Sequence, residues 1–440
     1  MMVTKTPHRI ILCCLAGLCA LNQGLVMADE KRAVAAELEP LFRWNNEILN
    51  AIRNSRTAPP MAAYKLGNMH AAIFDAVNGF DQKYEAYMVS EPAPEGASRE
   101  AAIAGAAYTV LVELYGPYVN PRRFQRTLDR ALADIPEGPA RDAGFEYGRR
   151  VAQTIVEACL ASGKDEQVEW QTTEDVGKWR ETPPFFRPAL APHWPDVRPM
   201  TLESVNQFRA PLPPALDSEQ YAREWEEVKE LGHRDNPDRK QYDTLSSVFW
   251  SDDLGSSTPG GSWNLIAQDV ALSQELSLEQ AVRMFALMNL ALADAGIVCW
   301  DGKYHYDYWR PETAIRQADK DGNPATEPDP DWIPLMASPP FPEYPSGHST
   351  FSMAAAHALT LYFGTADIPF STTSDQMPGA VRYYDGFIQC ANEVGMSRIH
   401  GGIHFQSANI QGQRDGVQVA EWVFNEFLLP KDPDTPKGLN

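Results

Sequence analysis

The chain has 440 residues and a formal net charge of −21 at pH 7, from 59 acidic and 38 basic side chains. So strong a negative charge argues against nucleic acid or an anionic membrane as a partner, because both are negatively charged themselves. A site for an anion would have to reverse this field locally, which directs attention to clusters of Lys, Arg and His.

Residues 1–28 are predicted to be a secretory signal peptide. Lys5 and Arg9 precede an apolar stretch, and Val26-Met27-Ala28 is typical of a cleavage site. A membrane anchor is the alternative, but the apolar stretch, residues 10–18, is short for a span. We therefore expect a secreted or periplasmic protein, whose charge after loss of Lys5 and Arg9 would be −23.

Three cysteines would remain after cleavage: Cys159, Cys299 and Cys390. An odd number of distant cysteines in apolar helical sequence predicts buried thiols, with no disulfide framework and no zinc spacing. At most one disulfide bond could form among them.

Helical periodicity dominates the N-terminal half, residues 29–162. Apolar residues recur at three- and four-residue spacing in four segments: 37–55, 61–80, 98–117 and 138–163. From 163 to 214 the sequence is too rich in proline for regular structure. We predict a long ordered loop there, packing aromatic residues on the body of the protein.

Helices are predicted to resume in the C-terminal part, residues 215–440. The apolar segment 277–300 opens with a capping box formed by Ser277 and Gln280. Its polar residues favour a buried bundle helix over a membrane span: Arg283, Asn289 and Asp294. Alternating strand patterns are scarce, so the sequence predicts an all-α protein of bundled helices without a stable membrane span.

A first candidate cluster is KYHYDYWRP, residues 303–311. Lys303 and Arg310 are seven residues apart, so a helix would project both cations from one face until Pro311 ends or bends it. The alternative is a solvated basic stripe. The aromatic residues in and around the segment argue for a buried site.

A second cluster is Pro345-Ser346-Gly347-His348, which precedes a helix predicted to run to about Phe363. The first N–H groups of a helix are unpaired and carry partial positive charge. With the Ser346 hydroxyl and the close approach that Gly347 allows, this segment could cradle an oxyanion. An ordinary serine cap beside an incidental histidine is the alternative.

The third cluster is SRIHGGIHF, residues 397–405. The pair Gly401-Gly402 predicts a turn or kink that would let Arg398 and His404 converge. A glycine-broken helix with a satisfied histidine is the alternative. Together, the three clusters predict a site for an oxyanion, with three cations as oxygen partners and two histidines.

The ordered set K-x6-RP, PSGH and SR-x5-H resembles the superfamily shared by vanadium-dependent haloperoxidases and type 2 acid phosphatases. Further segments across the mature chain resemble its secreted vanadium haloperoxidase branch, among them residues 57–79, 182–194 and 261–274. The resemblance implies an all-α fold of two four-helix bundles with the site in the core of the second bundle. It implies vanadate as the cofactor, with no haem or flavin.

The resemblance also implies a role for each matching residue. His404 would bond to vanadium, and His348 would be the acid/base. Vanadate oxygens would be bound by the remaining matches: Lys303, Arg310, Ser346, Gly347 and Arg398. Lys303 would also polarise bound peroxide. Hydrogen peroxide would be activated on the metal, and halide would leave as hypohalous acid to react with an organic acceptor.

Other residues near the motifs have open roles. Trp300 and Phe341 match aromatic positions in chloride-oxidising relatives, although core packing explains them equally well. His400, Asp252 and Asp253 have no assigned role. Residues 319–331 resemble the start of a calcium loop but lack its glycine and glutamate positions, so calcium is not expected.

Phosphate shares the charge and geometry of vanadate, so a secreted acid phosphatase is the alternative function. His404 would then attack phosphorus in a phosphoester and His348 would protonate the leaving group. The site residues alone do not distinguish the two activities. They also leave open the preferred halide, the organic substrate and whether the chain forms a homo-oligomer.

Overall fold

The computed structural model describes residues 9–439, with side chains from residue 32 onward. The predicted signal peptide, residues 1–28, lies outside the residues whose side chains are described. Three cysteines expected to be buried free thiols, Cys159, Cys299 and Cys390, are found in that state.

The described chain is all-α apart from one short hairpin, which confirms the predicted fold class. Its helices in order are α1 Arg9–Ser55, α2 Pro59–Asp81, α3 Arg99–Tyr115, α4 Arg122–Ala133, α5 Pro139–Leu160, α6 Glu219–Gly232, α7 Gln241–Phe249, α8 Thr258–Ser273, α9 Leu278–Tyr306, α10 Pro311–Arg316, α11 Gly347–Phe363, α12 Phe387–His400 and α13 Gln406–Glu426. The strands β1 Phe370–Thr373 and β2 Val381–Tyr384 pair antiparallel, with Phe370 opposite Tyr384. The sequence analysis missed this hairpin.

The helices pack in two groups that share one hydrophobic core. In the first group α2, α3 and α5 pack on one another, with α4 against α3. In the second, α9, α11, α12 and α13 surround the segments that carry the predicted motifs. Helix α2 lies along α9 and joins the groups, so a continuous apolar core runs through both.

Helix α9 is the central element of this core. It begins with the predicted capping box, in which Ser277 accepts from Gln280 N–H and the Gln280 side chain accepts from Ser277 N–H. Among the described helices, it alone is long and apolar enough to cross a membrane, yet its most apolar window is entirely buried in the protein. That burial is what we predicted for a bundle helix. The buried Asp294 accepts N–H bonds from Met200, Thr201 and Leu202.

Those bonds attach the long connection between α5 and α6 to the core. Residues 161–218 contain a single 3-10 turn, Trp194–Asp196, and otherwise irregular backbone. Within this segment, Trp179 and Trp194 are buried, whereas Phe185 and Phe186 are exposed. The segment thus packs some of its aromatic residues on the body, as expected, and leaves others in solvent.

Candidate active site

Helix α9 places Lys303 in the protein interior in its last turn. The buried ammonium donates hydrogen bonds to the backbone carbonyls of Pro342 (3.0 Å), Glu343 (3.0 Å) and Pro345 (2.5 Å). The pKa of Lys303 is lowered to about 8, mainly by burial and to a smaller extent by the charge of Arg310. All three ammonium N–H groups bind the backbone that leads into α11. Lys303 can therefore bond directly to an anion only if one N–H leaves its backbone carbonyl for the anion.

Arg310 does not lie on the helix of Lys303, so that prediction is wrong. Helix α9 ends at Tyr306, because Asp307 takes a left-handed conformation with φ of 53°. Pro311 begins α10 instead of ending α9, which suits proline because the first helical N–H has no partner. Arg310 is the residue just before α10.

The Arg310 guanidinium nevertheless reaches the predicted site. Its Nε donates to the Phe341 carbonyl (3.0 Å), and its Nη1 lies 2.8 Å from the Ile403 carbonyl and 3.2 Å from His404 Nε2. Its Nη2 is buried without a hydrogen-bond partner. Burial lowers the pKa of Arg310 to about 10. A buried donor without an acceptor is costly, and an anion at this position would satisfy it.

Ser346 is the N-cap of α11. Its Oγ accepts from Ser349 N–H (3.5 Å) and from the Ser349 hydroxyl (2.9 Å). The Ser349 hydroxyl has a second acceptor, Asn409 Oδ1 (2.8 Å), and only one proton to donate. The Ser346 proton is therefore available to an oxyanion when the Ser349 proton points to Ser346, and is used between the two serines when it points to Asn409.

Gly347 begins α11 beside Trp300 and Lys303. A Cβ added to it would lie 3.5 Å from Trp300 Cζ3 and 4.0 Å from Lys303 Cε, which are ordinary contacts. Protein packing therefore does not require glycine at this position. The missing side chain leaves space through which an oxyanion could approach the first N–H groups of the helix.

His348 is partly exposed at the start of α11. Its Nε2 lies 3.2 Å from the Ser251 carbonyl, which can only accept, so Nε2 carries the proton and Nδ1 has the lone pair. Burial of the ring lowers the pKa of His348 well below its usual range, and the nearby Arg398 lowers it further. The ring is therefore neutral at pH 7 and able to accept a proton.

The predicted glycine turn lies between Arg398 and His404. Helix α12 ends at His400, and Gly402 follows with φ of 74°; a Cβ there would lie 2.6 Å from the Gly232 carbonyl oxygen. Arg398 is fully buried, and its Nε and Nη2 each donate a 3.0 Å bond, to Ser397 Oγ and to the Ser247 carbonyl. Burial lowers the pKa of Arg398 to about 10.

His404 receives the influence of the other predicted residues. Burial lowers the pKa of its ring well below the usual range, and the nearby charges of Arg310, Lys303 and Arg398 act in the same direction, as the His348 ring would if protonated. The structure therefore brings together the residues of all three sequence clusters, which converge on His404.

Trp300 and Phe341 form an aromatic wall beside the cations. Their ring centroids are 5.1 Å apart, and the Phe341 centroid lies 5.0 Å from Lys303 Nζ and 4.9 Å from Arg310 Cζ. Trp300 is buried and donates its Nε1 proton to the Leu190 carbonyl (3.2 Å). Both aromatic residues thus adjoin the predicted anion site while they also pack in the core.

Two carboxylates belong to the site, and the sequence analysis missed one of them. Glu343 Oε1 lies 2.8 Å from His404 Nδ1, and burial raises the pKa of this carboxyl to about 8. Asp252, whose role was open, is buried with Ser262 Oγ 3.0 Å from its Oδ1. Burial raises the pKa of Asp252 to about 7, against the bond from Ser262 and the attraction of Arg398. The sequence offered one signal for Glu343: it is an acidic residue in the proline-rich segment directly before the PSGH motif.

The other residues with open roles lie outside the buried cluster, although the charge of Asp253 acts on Arg398 and raises its pKa. Asp253 is exposed, and His400 Nδ1 lies 3.8 Å from the Asp243 carboxylate. In the calcium-like segment, the Thr326 hydroxyl donates to the Asp321 carboxylate (2.8 Å), and no cluster of potential metal ligands exists among the described side chains.

The charge balance of the site fits a tetrahedral oxyanion such as vanadate or phosphate. Lys303, Arg310 and Arg398 are each fully buried. They are opposed by the buried carboxyls of Glu343 and Asp252, whose pKa values are raised, and by the exposed Asp253 near Arg398. The lowered pKa values of the three cations reflect first of all the cost of removing each charge from water. Bound anionic oxygens would offset that cost and pair the free Arg310 Nη2.

Comparison with known proteins shows that the chain is similar to vanadium haloperoxidases. Residues 283–429 match the family model of the VCPO second helical-bundle domain. The vanadium chloroperoxidase of Curvularia inaequalis is 26% identical over 393 residues, an alignment that covers 72% of this chain and 63% of the relative. The chain thus spans less than two thirds of that relative's length.

Solved structures of vanadium-dependent haloperoxidases are similar to a larger part of the chain. The first bacterial vanadium-dependent iodoperoxidase superposes with a TM-score of 0.78 at 27% identity, covering 90% of this chain and 98% of that one. A holo-type bacterial vanadium-dependent chloroperoxidase has a TM-score of 0.65 at 16% identity, covering 84% and 94%, and supports the fold alone. Residues 283–429 thus match a vanadium chloroperoxidase-type helical-bundle domain, and the chain as a whole is similar in sequence and fold to vanadium haloperoxidases.

Proposed function

We propose that the chain is a vanadium-dependent haloperoxidase that oxidises halide with hydrogen peroxide to hypohalous acid. The observation that carries the proposal is the group of three buried cations near two neutral histidines, in a chain whose residues 283–429 match the VCPO second helical-bundle domain. Bound vanadate would supply a Lewis acid that activates peroxide without changing its own oxidation state. The hypohalous acid would then react with an organic acceptor.

His404 is the proposed vanadium ligand through Nε2, the ring nitrogen that lies next to Arg310. Arg310 and Arg398 would neutralise oxyanion charge, with the free Arg310 Nη2 as one donor. Ser346 and the Gly347 N–H would bind further oxygens at the start of α11. Lys303 would stabilise the bound oxyanion either by moving one N–H from a backbone carbonyl to an oxyanion oxygen or by its positive charge alone.

His348 is the proposed acid/base. With its Nε2 proton held by the Ser251 carbonyl, its Nδ1 can take a proton from hydrogen peroxide when peroxide enters the site. The lowered pKa keeps the ring in the neutral form that this step needs. The same nitrogen can return the proton when hypohalous acid leaves.

Trp300 and Phe341 are the proposed halide wall. An apolar surface next to fixed cations would remove water from a halide ion while the cations keep it in place. Export of the enzyme through the predicted signal peptide is part of the same proposal and would place it outside the cytoplasm.

Reconstitution of the purified chain with vanadate and measurement of peroxide-dependent bromination test the proposal. Bromination is expected with vanadate, and the metal-free protein should show none. His404→Ala should reduce it by more than the about 100-fold that loss of a ligand-orienting residue costs. His400→Ala is the matched control, since its ring pairs with Asp243, and should keep the activity.

Phosphoester hydrolysis by the metal-free protein tests the alternative, a phosphatase that works through His404. A phosphatase activity that vanadate abolishes without conferring halogenation would overturn the haloperoxidase proposal. Full activity of the His404→Ala variant in both assays would overturn the site itself.

A further inference from the structure

Glu343 connects three parts of the site but has no role in the chemistry described so far. Its Oε1 accepts from the Phe405 N–H (2.8 Å) and lies 2.8 Å from His404 Nδ1. Its backbone carbonyl accepts from Lys303. The side chain is fully buried, and its second oxygen, Oε2, has no hydrogen-bond partner. A buried carboxyl placed against one histidine nitrogen is an expensive arrangement that packing alone does not require.

The contact determines which His404 nitrogen carries the proton. Oε1 already accepts from the Phe405 N–H, and its other lone pair faces the ring, so Nδ1 is the donor whenever the carboxyl is ionised or carries its proton on Oε2. The lone pair is then on Nε2, which receives Arg310 Nη1 at 3.2 Å. The reverse tautomer would place two N–H groups, on His404 Nε2 and on Arg310, against each other.

We propose that Glu343 is a positioning residue that holds the His404 lone pair toward the cations and so makes the site prefer an oxyanion that bonds to the ring nitrogen. An oxyanion held by charge and hydrogen bonds alone gains nothing from that lone pair. Partners that orient metal-ligating histidines in this way typically change metal affinity about 10- to 100-fold. The inference rests on the proposed function only in taking His404 as the ligand.

Two variants separate this role from a structural one. Glu343→Met keeps a similar volume but removes the acceptor, and Glu343→Gln keeps an acceptor oxygen for both Nδ1–H and the Phe405 N–H. The affinities of the purified full chain for vanadate and for inorganic phosphate are measured by calorimetry. In Glu343→Met, the ratio of vanadate to phosphate affinity should fall at least about 10-fold. In Glu343→Gln, the ratio should stay within about threefold of the wild type, a much smaller change than orienting partners produce.

Two results would overturn the proposal: an unchanged ratio in Glu343→Met, or an equal loss of the ratio in both variants. Glu343→Met in a His404→Ala background is the control, because it should leave the ratio unchanged once the ligand is gone. These affinities do not depend on halogenation, so the haloperoxidase proposal and this one can fail separately.

Nitrogen NMR of the histidine-labelled wild-type protein tests the tautomer even if Glu343→Met does not fold. The His404 signals, identified by their loss in His404→Ala, should show a protonated Nδ1 and an unprotonated Nε2 in the absence of any oxyanion. Protonation at Nε2 instead would overturn the proposal.

Discussion

Oxyanion affinity is expected to fall above pH 8, because Lys303 then loses its proton. Burial lowers the pKa of this ammonium from 10.5 to about 8. Anion binding favours the charged form, so each pH unit above the pKa reduces affinity about tenfold. At pH 9.5 the loss from Lys303 alone should be about 30-fold, or about 2 kcal/mol.

The neighbouring groups do not cancel this effect. Glu343, with a pKa raised by burial to about 8, gains negative charge in the same range and adds a loss of the same sign. Arg310 and Arg398 keep their charge longer, because burial lowers their pKa only to about 10. The rings of His348 and His404 are already neutral at pH 7.

Tungstate is a suitable probe, since it is a tetrahedral dianion throughout the pH range and its own titration does not interfere. Its affinity is measured by calorimetry between pH 7 and 9.5 for the wild type, Lys303→Arg and Glu343→Gln. Lys303→Arg should lose less affinity over this range than the wild type by at least about tenfold, because a guanidinium stays charged. A flat wild-type profile, or an identical fall in Lys303→Arg, would refute the assigned lysine pKa and its part in binding.

Three further predictions concern stability and processing. Burial raises the pKa of Asp252 from 3.8 to about 7, so the folded state favours the neutral carboxyl, and the associated stability is lost as pH rises from about 4 to 7. Urea denaturation should therefore show that Asp252→Asn stabilises the protein relative to the wild type by about 1–3 kcal/mol more at pH 7.5 than at pH 4. Asp294→Ala should lower stability by about 3 kcal/mol and increase proteolysis within residues 161–218, because three loop N–H groups lose their acceptor; intact loops in this variant would contradict the anchoring role. Export should remove residues 1–28, so N-terminal sequencing of the secreted protein should begin at Asp29 and not at Met1.

The sequence predicted the fold class and the members of the oxyanion cluster because both follow from local patterns. Apolar periodicity indicates helices that must bury one face, and the PSGH motif keeps its residues within one helix cap. The turn at Gly402 was predicted for that reason, and Ser346 is the N-cap that the sequence analysis gave as the alternative to an oxyanion cradle. In both cases a few consecutive residues are enough to predict the local backbone geometry.

Local patterns failed where a single residue conformation or a distant contact decides the structure. The helix through Lys303 was predicted to reach Pro311, yet Asp307 ends it at Tyr306 with a positive φ that no periodicity reveals. The hairpin of β1 and β2 has strands of only four residues each, too short for an alternating pattern to stand out. Glu343 meets a histidine 61 residues further along the chain, a contact that only the fold creates.

The protein has a negative net charge but a positively charged site, so the surface slows the arrival of an anion while the site holds it once bound. The net charge of −21 repels anions at long range, whereas the buried cations attract them only after entry. Salt at 0.15 M limits the reach of the surface field to about 8 Å but screens buried charges much less. Raising the ionic strength from low values should therefore speed anion association while changing the dissociation rate little. This is the reverse of what an enzyme that steers anions with a positive surface would show.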